Sequence, residues 1–350
     1  MSGSSLDGLD LAYVEFTETD NKWNHHIIAQ QCFSYNNEWE TLLSGIHTSS
    51  AFDYQHTHHK LGNYIGECIN EFIETDNIDR TSLIIGSHGH TVFHEPAKGF
   101  STQIGCGATI AAVTGCTTIT DLRSVDVALG GQGAPIIPIG EYHLWSDYNL
   151  FLNIGGIANV SLKGEGTDYI AYDICPANRV LNLLASKKDL KYDKGGLIAK
   201  SGSLNEQLFN QLNQLDYYKQ SYPKSLNNSF GTEQVMNIID GYSISLEDKL
   251  NTYTEHIAYQ ISNNINQLVE TPSNLLVTGG GAYNTYLIDR IKYYLNKQII
   301  LTIPDATTVE YKEAIIMAFI AVLRVLNKPN VLASVTGAKR NSINGCIWNV

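Results

Sequence analysis

Residues 150–159, Leu150-Phe151-Leu152-Asn153-Ile154-Gly155-Gly156-Ile157-Ala158-Asn159, carry the reading on which the fold rests. An almost wholly apolar run ends in two consecutive glycines, the pattern of a buried strand that turns sharply at its end. The pattern returns where Leu275-Leu276-Val277 leads into Thr278-Gly279-Gly280-Gly281-Ala282. A third loop, Ser2-Gly3-Ser4-Ser5-Leu6-Asp7-Gly8, precedes the apolar stretch 9–16. Glycine admits positive φ and close approach of the backbone, so successive N–H groups at such turns can converge on a phosphate. One such turn alone reads better as a plain tight turn. Three of them, two at the ends of buried strands, favour a nucleotide.

Working outward, strands are expected at 9–16 and 27–33, joined by a polar turn around Asp20 and Asn21. Leu61, Tyr64, Ile65, Cys68, Ile69, Phe72 and Ile73 follow helical spacing with one buried stripe. A buried strand at 83–85 runs into Gly86-Ser87-His88-Gly89-His90, and another is expected at 169–173. Helices are expected around 180–184, at 257–268 and near 310–326. Strands alternating with helices make this an α/β chain, in which helices serve as crossovers. The glycine-rich connection Leu129–Pro135 is the natural place for a domain crossing.

Composition narrows the function. The 350 residues suffice for two domains, and an apolar fraction of 43% marks a globular chain. A net charge of −12 argues against nucleic acid and anionic membrane as partners, since both attract clustered cations. The N-terminus has no signal-peptide pattern, and the uncharged run Ala314–Leu323 is too short to span a bilayer. The cysteines Cys32, Cys68, Cys106, Cys116, Cys175 and Cys346 form no CxxC and read as reduced thiols in a cytoplasmic protein. Neither GxxxxGK[ST] nor a strand-linked GxGxxG occurs, which excludes a P-loop and leaves a dinucleotide fold without its fingerprint.

The motifs SGSSLDGLD, SHGHTVFH, QIGCG, DLRSVDVALGGQGAP, LNIGGIANV, YDICPAN and LLVTGGGAYN stand in the order seen in anhydro-N-acetylmuramic acid kinases. The resemblance covers essentially the whole chain. It implies a two-domain actin/hexokinase-like α/β fold with an interdomain cleft: domain I from 1–128 with 306–350, domain II from 129–305. It implies ATP and Mg²⁺ as cosubstrate and cofactor, a small cell-wall sugar as substrate, and is compatible with a homodimer. The implied reaction opens a 1,6-anhydro bridge and phosphorylates O6, giving N-acetylmuramate 6-phosphate.

On this resemblance Asp173 in YDICPAN is the base that activates water; its alternative is a cap for the helix after Pro176. An ordinary aspartate, with a pKa of about 4, is already ionised at neutral pH, so no large shift is required. Arg123 suits the lactyl carboxylate of a muramic acid, against an alternative ion pair with Asp121 or Asp126. Glu313 contacts the sugar, or else stands at a solvated helix start, and Gln103 and His88 line the sugar pocket. Nucleotide contacts map to Gly3, Ser4, Ser5, Asp7, Gly8, Gly155, Gly156, Asn159, Gly279, Gly280 and Gly281, with no metal ligands identified.

Two departures stand out. Relatives carry a short apolar strand before the first loop, whereas this chain starts at Met1 inside it, so domain I is expected to lack a central strand or the start is misassigned. Cys106 stands where the family usually has Asp. These keep open an impaired sugar- or nucleotide-binding protein, and a kinase for another sugar on the same fold. A metal hydrolase using His88, His90 and His94 is disfavoured because later histidine ligands are lacking, and His56, His58 and His59 read as a solvated approach to a helix.

Overall fold

The computed structural model describes residues 1–3, 6–164, 168–222, 224–227, 229–269 and 271–350. The chain forms two compact α/β units, unit 1 from Met1–Ser146 with Tyr311–Val350 and unit 2 from Asp147–Glu310. The glycine-rich connection at 129–135 therefore lies inside unit 1 and is not the crossing expected there. The fully buried Asp126 carboxylate explains this. It accepts the Gly133 N–H at 2.8 Å and the Thr336 hydroxyl at 2.7 Å, while Gln132 N–H donates to the Thr336 carbonyl at 2.8 Å. A buried carboxylate satisfied by these donors holds the connection against the C-terminal segment.

In unit 1, strands β1 (Gly8–Thr19) and β2 (Lys22–Ser34) form an antiparallel pair. Asp20 and Asn21 turn between them with φ of 53° and 61°, the left-handed pair that matches hairpin twist. The helix Ala51–Thr75 buries Leu61, Ile65, Cys68, Ile69, Phe72 and Ile73, as its spacing dictates, while Tyr64 of the same stripe is half-buried. It also contains His56, His58 and His59, which are helical and not an approach to the helix. Strand β3 (Ile84–Gly86) leads to the hairpin β4 (His90–Glu95) and β5 (Phe100–Ile104). Strand β6 (Thr117–Thr120) pairs parallel with β3 and antiparallel with the last strand, β12 (Cys346–Trp348).

No strand of unit 1 precedes β1 among the described residues; Met1 and Ser2 instead lie alongside it. Ser2 bridges Leu9, the Met1 ammonium donates to the Asp10 carbonyl at 2.7 Å, and Asp10 N–H donates to the Met1 carbonyl at 2.9 Å.

Unit 2 is one five-stranded sheet in the order β11 (Ile299–Thr302), β10 (Ser273–Thr278), β7 (Leu150–Ile154), β8 (Ile157–Lys163), β9 (Tyr169–Pro176). Strand β10 runs parallel to β7 and β11, and β7, β8 and β9 form an antiparallel meander. Leu152, Ile154, Ile174, Leu275 and Val277 share one core with Val180, Leu184, Tyr253, Ile257 and Ile261 from the helices Asn178–Ala185 and Leu246–Leu268. Both glycine turns expected from the sequence thus sit at the ends of adjacent parallel strands. The helix Ala306–Val325 starts in unit 2 and continues into unit 1. Among the described residues, no helix is long and apolar enough to cross a membrane.

Candidate functional site

In unit 2 the pairing register builds a row of polar residues. Thr278 on β10 lies across from Asn153 on β7, Asn153 across from Asn159 on β8, and Asn159 across from Asp173 on β9. Directly paired residues share a sheet face, so Asp173 stands about 10 Å, two strand spacings, from the strand that leads into Gly155. A bulge at Ala158/Asn159 re-aims the chain beside it, as bulges often do near sites.

The two glycine turns pack together at one end of this row. Gly279 has φ 82°, and a Cβ there would lie 2.6 Å from Asn153 Oδ1 and 2.8 Å from the Ile154 carbonyl oxygen. No side chain fits. The turn Gly155-Gly156 is stitched to the start of the helix Asn178–Ala185: Ala177 and Arg179 N–H groups donate to the Gly156 carbonyl at 2.8 and 3.3 Å, and Asn178 N–H to Gly155 at 3.1 Å. Gly280 lies 3.8 Å, measured from its would-be Cβ, from Asn178 Nδ2.

At the other end the backbone fixes Asp173 on both sides. Its Oδ2 accepts the Leu226 N–H at 2.9 Å, its own N–H donates to the Lys224 carbonyl at 3.4 Å, and its carbonyl accepts the Tyr217 hydroxyl at 2.6 Å. Asp173 makes no helix cap; Ala177 is the cap residue, with no side-chain bond. Burial raises the Asp173 carboxyl above the ordinary carboxylate range, against the Leu226 hydrogen bond. The sequence required no such shift. The Lys224 ammonium lies over the Tyr217 and Tyr172 rings at 4.9 and 5.5 Å.

Unit 1 gathers the residues expected to meet a sugar. The Arg123 guanidinium donates through Nε and Nη2 to His88 Nε2 at 3.0 and 2.9 Å, and through Nη1 to the Gly133 carbonyl at 2.7 Å. His88 Nδ1 lies 3.0 Å from the Gly89 carbonyl, which assigns the proton to Nδ1 and leaves Nε2 as the acceptor. Burial, reinforced by Arg123, pushes His88 down to about 3, so the ring is neutral. Both ring nitrogens are therefore engaged inside unit 1. Neither nitrogen is left to meet a ligand directly.

Neither alternative partner of Arg123 holds it: Asp121 accepts from Ser124, and Asp126 from Gly133 and Thr336. Burial lowers Arg123 to about 10, with Glu313 opposing. Glu313 lies two turns inside its helix, not at a helix start, and is exposed. Desolvation by the protein around it raises its carboxyl, against the pull of Lys312, the Met1 ammonium and Arg123. The field of Arg123 also reaches His94, which burial lowers first. Gln103 joins through Ser101, whose hydroxyl takes Gln103 Nε2 at 2.9 Å and contacts His94 Nδ1 at 3.1 Å.

In the first loop, Gly3 is half-buried, Asp7 exposed, and Gly8 opens β1 against the Phe33 carbonyl. Ser4 and Ser5 lie outside the described residues. Histidines 88, 90 and 94 assemble no metal centre; no group of three or more ligating side chains occurs among the described residues.

Residues 1–350 match the family described as anhydro-N-acetylmuramic acid kinase. The chain belongs to this family. A protein named anhydro-N-acetylmuramic acid kinase from Aliivibrio fischeri (strain ATCC 700601 / ES114) is 33% identical over 361 residues, covering 99% of this chain and 97% of that protein. Its namesake from Vibrio vulnificus (strain YJ016) is 32% identical over 361 residues, with 99% and 96% covered. Among solved structures, the activator of 2-hydroxyisocaproyl-CoA dehydratase from Clostridium difficile with bound ADPNP is a distant likeness, with a TM-score of 0.42 and 12% identity over 92% of this chain and 99% of that one.

The packing around Cys106 gives this position a structural reading. It is the N-cap of the helix Gly107–Thr114 and makes no side-chain cap bond. An Asp at this position would have a plain structural task, accepting the first free N–H groups of that helix. Sequence reasoning missed Tyr217, Lys224 and the Leu226 amide. Their only trace was the aromatic and cationic run Tyr217–Lys224, which no spacing rule ties to Asp173.

Proposed function

We propose that this protein phosphorylates 1,6-anhydro-N-acetylmuramic acid with ATP while hydrolysing the anhydro bridge, in cytoplasmic recycling of cell-wall sugars. The observation that carries this reading is the row from Asp173 through Asn159 and Asn153 to the packed glycine turns. It supports reading Asp173 as the base and the glycine turns at the strand ends as the phosphate-binding backbone. Full-length family membership selects the sugar.

Water attacks C1 of the sugar and gives its proton to Asp173. The C1–O6 bond breaks and its electron pair stays on O6, which takes the γ-phosphoryl group as the bond to the β-phosphate oxygen breaks. The products are N-acetylmuramate 6-phosphate and ADP, and Asp173 returns its proton to solvent. An inverting glycosidase needs a second carboxyl group to protonate the leaving oxygen. Here the phosphoryl group captures that oxygen, so one carboxylate suffices. The raised carboxyl of Asp173 makes it a stronger base than an exposed aspartate.

The amides of Gly155, Gly156 and Gly279–Gly281, with Gly3, Asp7, Gly8 and Asn159, bind the nucleotide; Ser4 and Ser5 belong to the same assignment. Arg123, held by His88, takes the lactyl carboxylate, while Glu313 and Gln103 bind sugar hydroxyl and amide groups. Mg²⁺, a hard cation that takes oxygen ligands, would be held through the nucleotide's phosphates and a carboxylate of the first loop. Asp7, exposed in the first loop, is the carboxylate best placed in the sequence to join it. When bound, the ion neutralises charge on the β- and γ-phosphate oxygens. All six cysteines are free, which fits a reducing compartment.

The test is incubation of the purified protein with Mg²⁺, ATP and the anhydro sugar in ¹⁸O-water. One phosphate should move to O6, with the label at C1 and none in the transferred phosphate. Hydrolysis of ATP with no sugar phosphate, or phosphorylation with the anhydro bridge intact, contradicts the proposal.

A further inference from the structure

Arg179 has no task in the reaction above. It is the second residue of the helix Asn178–Ala185, and its side chain turns back over the glycine turn. A Cβ built on Gly156 would lie 3.4 Å from Arg179 Nε and 3.6 Å from Nη2, so the guanidinium passes directly over that backbone. The residue is half-buried, and its guanidinium forms no ion pair or hydrogen bond among the described residues. A partly desolvated cation without an acceptor is unfavourable unless a ligand brings one. Five N–H groups in a planar fork match the oxygens of a phosphate. Asn178 beside it faces the second glycine turn through Nδ2 and holds the Ile154 carbonyl at 3.0 Å.

We infer that Arg179 is a ligand of the terminal phosphates of the bound nucleoside triphosphate, adding a cation beside the backbone amides of the glycine turn. This rests on reading Gly155-Gly156 as a phosphate turn. In that place the fork offsets charge on the phosphate oxygens both in the bound nucleotide and during transfer. Gly156 leaves the backbone bare beneath it, with the guanidinium at van der Waals distance from the place a Cβ would take.

The experiment compares the full-length protein with Arg179→Met and Arg179→Lys, measuring the KM for ATP, the KM for the anhydro sugar, the affinity for AMP and the Tm. Loss of one or two charge-assisted hydrogen bonds should raise the KM for ATP by about tenfold to a hundredfold in Arg179→Met. Arg179→Lys, which keeps the charge and loses the fork, should fall between. The KM for sugar, the affinity for AMP and the Tm should stay near wild type. A folded Arg179→Met variant with an unchanged KM for ATP overturns the inference, as does an equal loss of affinity for AMP and ATP. If the wild-type protein itself transfers no phosphate, the kinase reading is what fails; an active wild type with an indifferent Arg179→Met sinks only the role of Arg179.

Discussion

Asp173 stands directly across from Asn159 in the antiparallel pairing of β8 and β9, and a bulge separates this pair from the next. The register therefore decides which face the carboxylate occupies. A shift of one residue would turn Asp173 to the opposite face, away from Asn159 and Asn153. The Leu226 N–H, the Lys224 carbonyl and the Tyr217 hydroxyl anchor the residue from outside the sheet.

The raised carboxyl of Asp173 sets an acid limit on turnover. The base works only when ionised, so kcat should fall as pH drops through a value above the ordinary aspartate pKa of about 4. The stability effect has the opposite sign. A pKa raised on folding means that the folded state favours the protonated form, so Asp173 ionised at neutral pH weakens the fold. Asp173→Asn should therefore leave the Tm at neutral pH unchanged or higher, as a thermal melt would record. A clear drop would show that the carboxylate is structural.

His88 and Arg123 should act as a unit. His88→Phe keeps the bulk and removes the acceptor for Arg123 Nε and Nη2, leaving buried donors unsatisfied at a cost of about 1–3 kcal/mol. The KM for sugar should rise much more than that for ATP, and Arg123→Lys should show the same pattern. Because His88 is held near 3, the wild-type pH–rate profile should carry no inflection from this ring between pH 6 and 7.

Gly279→Ala tests the packed glycine turns. The added methyl would meet Asn153 Oδ1 and the Ile154 carbonyl, at a positive φ that alanine resists. Nucleotide affinity should fall about fivefold to a hundredfold by calorimetry, by analogy with strain of about 1–3 kcal/mol per misplaced residue. Sugar-side contacts in unit 1 should be untouched.

Cys106→Ser should stabilise unit 1. The hydroxyl keeps the small volume and supplies the cap acceptor that the thiol does not, worth about 1 kcal/mol. A rise in the Tm of unit 1 with unchanged kcat fits a cap; a change in the KM for sugar would instead place residue 106 at the substrate.

The sequence was most legible where chemistry and local structure coincide. Apolar runs ending in glycine at Ile154 and Thr278 identified two strand ends, and the stripe from Leu61 to Ile73 a helix, because burial imposes period and glycine permits the turns. Asp173 bears no local mark; it was found through the YDICPAN resemblance alone. Its alignment with Asn159 and Asn153 depends on cross-strand register and a bulge, which are tertiary. The same holds for the connection 129–135, whose glycines suggest a linker until the buried Asp126 ties it down. Strand β8 was hidden because Ile157–Lys163 follows the turn at once, with no separating loop.

The most direct measurement is single-turnover kinetics of Asp173→Asn beside isothermal titration with ATP. The variant should form no sugar phosphate above background while binding ATP within about twofold of wild type, since the amide retains an acceptor for Leu226 but cannot take a proton from water. An Asp173→Asn protein that still converts the anhydro sugar would contradict the assignment of this carboxylate as the base.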